Sequence, residues 1–219
     1  MRRLLKAQEA GMSLGDTTTL EDESEGDRID MKTKSILTAA AACVLVAGAA
    51  PGRVHAADRT PTYAAYIVDT KRAQVGTATF VGIDTGGVLV RIDTNGLTPG
   101  NHGMHIHETG SCNALVDTTG KSTPFGAAGG HFDPAETTHH AGPTGMGHAG
   151  DLPNLNATDV GHARTTFFTD RLSVKVGAKN NIVGRAIVIH ANEDNYTDEP
   201  ANGGSGGRVE CGEIGPLRS

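Results

Sequence analysis

From Thr62 onward the apolar residues come in short alternating or continuous bursts and never settle into a period of three to four. Thr62 to Asp69, Val75 to Ile83 and Val88 to Asp93 are rich in Val, Ile, Phe, Tyr and Thr and are bounded by Gly and Asp, so each reads as a strand. Asp84-Thr85-Gly86-Gly87 between the last two is turn chemistry and predicts a hairpin. Asn95-Gly96 and Pro99-Gly100 punctuate the chain before a further strand at Met104 to Glu108. Strand signals return at Ala163 to Thr169 and Ile182 to Ala191, and a last short strand is expected around Arg208 to Cys211, after the Gly-rich Asn202 to Gly207. Between Thr109 and Gly161 no period is sustained, and a loop that long inside a compact domain is usually functional or disordered. No stretch has the pattern of a long amphipathic helix. The expected fold is all-β, an antiparallel sandwich or flattened barrel whose loops carry the chemistry.

The first 56 residues do not fit that pattern. Met1 to Asp30 is polar, acidic in its second half, and has no apolar period with which to bury a core. Lys32 and Lys34, then the Ala/Val/Leu-rich run Ile36 to Ala50, then Val54-His55-Ala56 have the three parts of a secretory signal peptide. The apolar run is about 15 residues, short of the ~20 that span a bilayer. Residues 1–30 are therefore expected to be an upstream extension, 31–56 a signal cleaved after Ala56, and 57–219 a single periplasmic or secreted domain without stable membrane association. Such a signal acts at an N-terminus, which makes Met31 the expected start of translation.

Export changes how the cysteines are read. Cys43 lies in the leader, so the exported chain keeps Cys112 and Cys211, and an even pair in an oxidising compartment suggests a disulfide. Closing a loop of roughly 100 residues would contribute on the order of 4 to 5 kcal/mol in the chain-entropy model. From Ala57 on, 12 Lys and Arg face 17 Asp and Glu, a net charge of −5. That balance argues against nucleic acid as a partner and requires any anionic substrate to be drawn in by a local positive patch.

Seven of the ten histidines fall between His102 and Asp151. Residues two apart on a strand point the same way, so His105 and His107 can present both imidazoles to one ion. An H-x-H pair alone is equally a polar strand face. His131, His140, His148, Asp151 and His190 add more candidate ligands than one tetrahedral ion can hold, which implies two metals.

H-G-M-H-I-H-E-T-G-S-C (His102 to Cys112), G-G-H-F-D-P (Gly129 to Pro134), H-A-G-P (His140 to Pro143), G-H-A-G-D-L-P (Gly147 to Pro153), G-R-A-I-V-I-H-A (Gly184 to Ala191), D-N-Y-T-D (Asp194 to Asp198) and G-G-R-V-E-C-G (Gly206 to Gly212) resemble, in order and spacing, the motif set of the bacterial copper-zinc superoxide dismutases. The resemblance covers nearly all of Thr62 to Gly215. It implies a Greek-key β-sandwich or flattened barrel of about eight strands with long metal-binding and electrostatic loops. It further implies one copper ion held by His105, His107, His131 and His190, and one zinc ion held by His131, His140, His148 and Asp151, with His131 bridging the two. The Ala-Gly-Pro after His140 selects it over the adjacent His139. Asp194 matches the carboxylate that accepts hydrogen bonds from one histidine of each site, here His105 and His140. Arg208 matches the arginine that guides superoxide beside the copper, and Cys112 and Cys211 match the disulfide.

The implied reaction is the dismutation of superoxide to molecular oxygen and hydrogen peroxide, by a monomer or a homodimer. Asp198-Glu199 departs from the pattern, because many relatives carry a lysine in that loop, and steering of the anion is expected to be weaker. The alternative is a non-catalytic exported copper- or zinc-binding protein on the same fold, which would have no need of Arg208.

Overall fold

The computed structural model describes residues 61–218, and the expected extension and signal of residues 1–56 lie outside the described residues. Eleven strands follow one another: β1 (Thr62–Asp69), β2 (Gln74–Gly82), β3 (Val88–Thr94), β4 (Gly100–His102), β5 (Met104–His107), β6 (Leu115–Val116), β7 (Ser122–Thr123), β8 (Leu155–Ala157), β9 (Ala163–Thr169), β10 (Ala186–His190) and β11 (Arg208–Pro216). The only helical turns among the described residues are two short 3-10 segments, Gly126–Ala128 and Ala201–Gly204. Nine strands form one antiparallel sheet in the order β4-β8-β9-β3-β2-β1-β11-β10-β5, and β6 pairs with β7 in a small hairpin. The outermost strands of the sheet, β4 and β5, are separated in sequence by Gly103 alone, so the sheet curls into a nearly closed barrel. The connections β3 to β4, β5 to β8 and β9 to β10 skip over neighbouring strands in the Greek-key manner.

The barrel is filled as strand alternation dictates. Val88, Val90 and Ile92 of β3 are buried while Leu89 and Arg91 face out, and Phe80, Ile67, Met104 and Ile106 meet them inside. Each such side chain stabilises the fold by about 1.5 to 3 kcal/mol relative to exposure. Strand β10 does not alternate, because both of its faces are covered. Ile187 and Ile189 enter the barrel, whereas Ala186 and Val188 pack outside it against Cys112, Phe125, Ala128 and Cys211. The Cys112–Cys211 disulfide is formed, with Cα atoms 5.7 Å apart, and pins the loop after β5 over that outer face. His105 and His107 lie opposite Val188 and Ala186 in register, so they too face outward, beneath the loops.

The expected β2–β3 hairpin is present, closed by hydrogen bonds between Ile83 and both Gly86 and Gly87. Two strand boundaries differ from expectation by more than one residue. Strand β10 begins at Ala186 rather than Ile182, because Arg185 N–H turns back to Ile182 O and Gly184 takes φ 83°. Ile182 is apolar because it is buried in the core ahead of the strand. Strand β11 runs on to Pro216 rather than stopping near Cys211. Gly212 is no terminator, since a Cβ there would stand 2.9 Å from that of Ala65 on β1. Strands β4 and β6 to β8, three residues or fewer each, are too short to carry a period.

One acid of β11 is buried in this frame. Glu210 is 2% exposed, lies opposite Asp69 of β1, and accepts a hydrogen bond of 2.8 Å from Thr94 Oγ1. Burial pushes its pKa up to about 7, with the Thr94 bond opposing the shift and the Asp69 charge adding to it. The folded protein therefore holds this proton more tightly than the unfolded chain does. The stabilisation is complete below the ordinary value near 4.5 and is lost as pH rises to about 7, a change on the order of 3 kcal/mol. Urea unfolding of the metal-free protein at several pH values should show that fall for the native chain and a flatter profile for Glu210→Gln; identical profiles would rule it out.

Candidate metal centre

The site is built on the uncovered edge of β5. Main-chain hydrogen bonds join Phe132 N to Ile106 O (2.8 Å), Glu108 N to Gly130 O (3.0 Å), Ile106 N to Gly150 O (2.8 Å) and Leu152 N to Met104 O (3.2 Å). Two loop segments thus satisfy an edge that would otherwise present unpaired groups, and they set His107 against His131 and His105 against Asp151. Gly150 permits the approach, since a Cβ there would come within 2.3 Å of Ile106 O. His190 arrives from β10, where the ladder with β11 slips between Ile189 and His190.

Two sets of buried side chains result, each with ligand atoms within 4.8 Å of one another: His105, His107, His131 and His190, and His105, His131, His140 and Asp151. His105 and His131 belong to both, and His148 lies outside both, within reach of Asp151. Asp151 Oδ1 is surrounded by imidazole nitrogens, Nδ1 of His131 and of His140 each at 3.1 Å and Nδ1 of His148 at 3.4 Å.

Second partners decide which nitrogen each ring offers. His107 Nδ1–H donates to Gly129 O (3.0 Å) and His190 Nδ1–H to Gly206 O (3.1 Å), which leaves Nε2 of both rings facing each other at 3.4 Å. His105 Nε2–H donates to Asp194 Oδ2 at 2.7 Å, leaving Nδ1. His140 Nε2–H donates to the same carboxylate at 2.8 and 2.9 Å, also leaving Nδ1. Nδ1 of His105, His140 and His148 are buried without a hydrogen-bond partner. An unsatisfied buried polar atom costs roughly 1 to 3 kcal/mol, and three converging in one pocket suit cations. Four imidazoles suit copper in both of its common oxidation states, and imidazoles with one carboxylate suit zinc.

Charge follows the same division. Burial lowers the pKa of His105 and His107, takes His131 down to about 4 against the pull of Asp151, and takes His190 to about 3 with help from His105. These rings are neutral at physiological pH, with lone pairs ready for a metal. Burial also disfavours charge on His140, but the Asp151 and Asp194 carboxylates beside it overcome that and hold the pKa at about 9. Both carboxyls stay well below the usual range despite burial, because the neighbouring histidines favour their charged forms.

Arg208 lies beside the first set. Its Nη1 donates to Phe125 O at 2.7 Å and its Nη2 to Gly129 O at 2.6 Å, the carbonyl that also receives His107. It shares an open cavity of about 450 Å³ with His107, His131, His190, Asn202 and Ser205. His139 is outside the centre, its side chain 70% exposed and its Nδ1 3.1 Å from Asp198 Oδ2. Asp198 is more than a loop acid, because its Oδ1 takes the N–H of His140 at 2.7 Å.

Asn154 and Gly203 contribute without a sequence signal, and Tyr196, inside the Asp194 to Asp198 motif, contributes through its main chain. Asn154 bonds the main chain of Asp194 in both directions, Nδ2 to O at 2.8 Å and Oδ1 from N–H at 3.0 Å. Tyr196 N–H donates to Asp194 Oδ1 at 2.7 Å. Gly203, with φ 67°, lies where a Cβ would come within 1.8 Å of that oxygen.

Residues 74–214 match the family model described as copper/zinc superoxide dismutase. The Cu-Zn superoxide dismutase of Deinococcus radiodurans is 45% identical over 155 residues, covering 69% of this chain and 83% of the relative. That of Escherichia coli is 38% identical over 141 residues, covering 64% and 78%. Among solved structures, the Cu/Zn superoxide dismutase of Brucella abortus superposes with a TM-score of 0.63 at 37% identity, over 70% of this chain and 99% of that one. A superoxide dismutase-like protein from Bacillus subtilis gives 0.59 at 34% identity, over 68% and 96%. The chain belongs to the copper/zinc superoxide dismutase family.

Asp194 touches both ligand sets, so Asp194→Asn, which keeps the size and removes the charge, should weaken copper and zinc binding together, by about 10- to 100-fold each. Competition titration with chelators measures both constants, and unchanged affinities would remove Asp194 from this role.

Proposed function

We propose that copper is held by His105, His107, His131 and His190, and zinc by His131, His140, His148 and Asp151, with Asp194 orienting one histidine of each set. The protein is a superoxide dismutase with copper and zinc as cofactors, in which two superoxide ions and two protons give one molecular oxygen and one hydrogen peroxide. Copper held there would supply one-electron redox chemistry, and zinc would supply a redox-silent charge beside His131.

The observation that carries these roles is a pair of donor sets that share His105 and His131, of which His105 has one ring nitrogen committed to Asp194, with Arg208 beside the open set. The Arg208 guanidinium spends two N–H bonds on Phe125 O and Gly129 O, and its remaining donors are free for an anion in the cavity. In a domain of net charge −5, this fixed cation supplies the local attraction that the molecule as a whole lacks. His131, with Nδ1 turned to Asp151, can carry a proton on Nε2 at the cavity wall for the reduced substrate. A non-catalytic metal buffer would not need Arg208 anchored to the same carbonyl as His107.

Protein reconstituted with copper and zinc should dismutate superoxide, and Arg208→Gln should lower kcat/KM by about tenfold or more while leaving both metals bound. Inactivity at full occupancy of both metals would exclude this assignment.

Residues 57–219 are proposed as the exported domain, released by cleavage after Ala56 of a signal beginning at Met31, and working as a monomer or homodimer in the periplasm or medium. None of the helices among the described residues is long and apolar enough to cross a membrane. The intact mass of the exported protein should correspond to a chain starting at Ala57; a mature form retaining Met1 to Asp30 would refute this.

A further inference from the structure

Arg171 stands outside every motif that defines the metal centre, yet its side chain makes three hydrogen bonds to the loop that carries His140 and His148. Its Nη1 donates to Gly142 O at 2.9 Å, and its Nη2 donates to Gly147 O at 2.5 Å and to His148 O at 2.8 Å. The arginine itself is fixed at its base. Its N–H donates to Thr169 Oγ1 at 3.2 Å, its carbonyl accepts from Asn180 Nδ2 at 3.0 Å, and the next residue, Leu172, is fully buried in the core.

The loop needs such a hold because it has little of its own. Between Asp133 and His148 no large apolar side chain is buried, and Met146 at its tip is 94% exposed. Its shape comes from close main-chain packing: His148 N–H donates to His139 O at 2.9 Å, and a Cβ on Gly147 would strike that same carbonyl at 2.4 Å. The guanidinium binds the loop on both sides of the Gly145–Met146 tip, once two residues after His140 and twice at Gly147 and His148. A planar fork with several fixed donors can hold three carbonyls at once, which a single ammonium on a flexible stem does less well.

We propose that Arg171 is a positioning residue for zinc: it sets the distance between His140 and His148 before the ion arrives, and so determines zinc affinity and geometry without touching the metal. The inference rests on the assignment of zinc to His131, His140, His148 and Asp151.

The test uses the full-length exported protein, stripped of metal and titrated with zinc against a chelator. Arg171→Ala should weaken zinc binding by about 10- to 100-fold while changing copper affinity by less than about threefold, and Arg171→Lys should recover part of the loss. Arg72→Ala, which removes an arginine bonded to Cys112 O on the opposite loop, should leave zinc affinity unchanged. Cobalt(II) placed in the zinc site should give a weaker, shifted visible spectrum in Arg171→Ala, reporting a distorted tetrahedron. Zinc affinity and cobalt spectrum equal to the native protein's would overturn the proposal. So would equal losses of copper and zinc accompanied by a large fall in Tm, which would make Arg171 a general stabiliser. Failure of the native protein itself to bind zinc at these residues would instead overturn the ligand assignment.

Discussion

The buried Asp194 carboxylate is the point on which the centre turns. It takes His105 Nε2–H from a barrel strand and His140 Nε2–H from a loop, at 2.7 and 2.8 Å. A lone charge at that depth would be costly; here each oxygen is satisfied by a charge-assisted bond, and Tyr196 N–H adds another. With Nε2 of both rings committed to Asp194, Nδ1 is the only nitrogen either can offer an ion. One carboxylate thus fixes the orientation of both histidines, one on the rigid barrel and one on a polar loop. Asn154 clamps its main chain, and Gly103 and Gly203 leave room for it where any Cβ would collide or crowd, at 3.1 Å from Asp194 Cβ and 1.8 Å from Oδ1.

The barrel contributes an edge and an outer face. Closing the sheet through Gly103 brings β4 and β5 around, and the exposed edge of β5 becomes the template on which the loops order. Alternation then does two jobs on one strand: Met104 and Ile106 enter the core, and His105 and His107 face the loops. On β10 the same rule places Ile187 and Ile189 inside and Val188 outside, where the disulfide loop covers it. That loop in turn supplies the carbonyls of Phe125 and Gly129, so the cysteine pair, the small outer core and the aim of Arg208 form one mechanical unit.

Strands long enough to show period two were legible in the chain, and β1, β2, β3 and β9 lie where the alternation puts them. So were the histidines and acids, because a metal needs particular side chains and these are countable. What escaped is carried by main-chain atoms and by close approach. Gly129 O receives both His107 and Arg208, a role any residue type's carbonyl could fill. Arg171 looks like one more charged residue after a strand, since its partners are three carbonyls and carbonyls are invisible in sequence. The apparent strand at Ile182 shows the converse failure. An apolar run records burial, and burial beside a turn looks the same as burial in a strand.

The loop from Asp133 to His148 brings almost no apolar surface to the fold, and three buried ring nitrogens nearby lack hydrogen bonds. Such a segment must offset the conformational entropy of ordering by polar contacts alone. Those contacts come from Asp198 and Asp151 around His140 and from Arg171 towards the far end, and they leave His140 holding a proton between two carboxylates. A divalent cation held there would displace that proton, satisfy the ring nitrogens and give Asp151 a stronger partner. Binding energy is then partly loop-folding energy. The barrel has an apolar core of its own, whereas the loop rests on these polar contacts, and Asp151 ties it to His131, the histidine between the two sets.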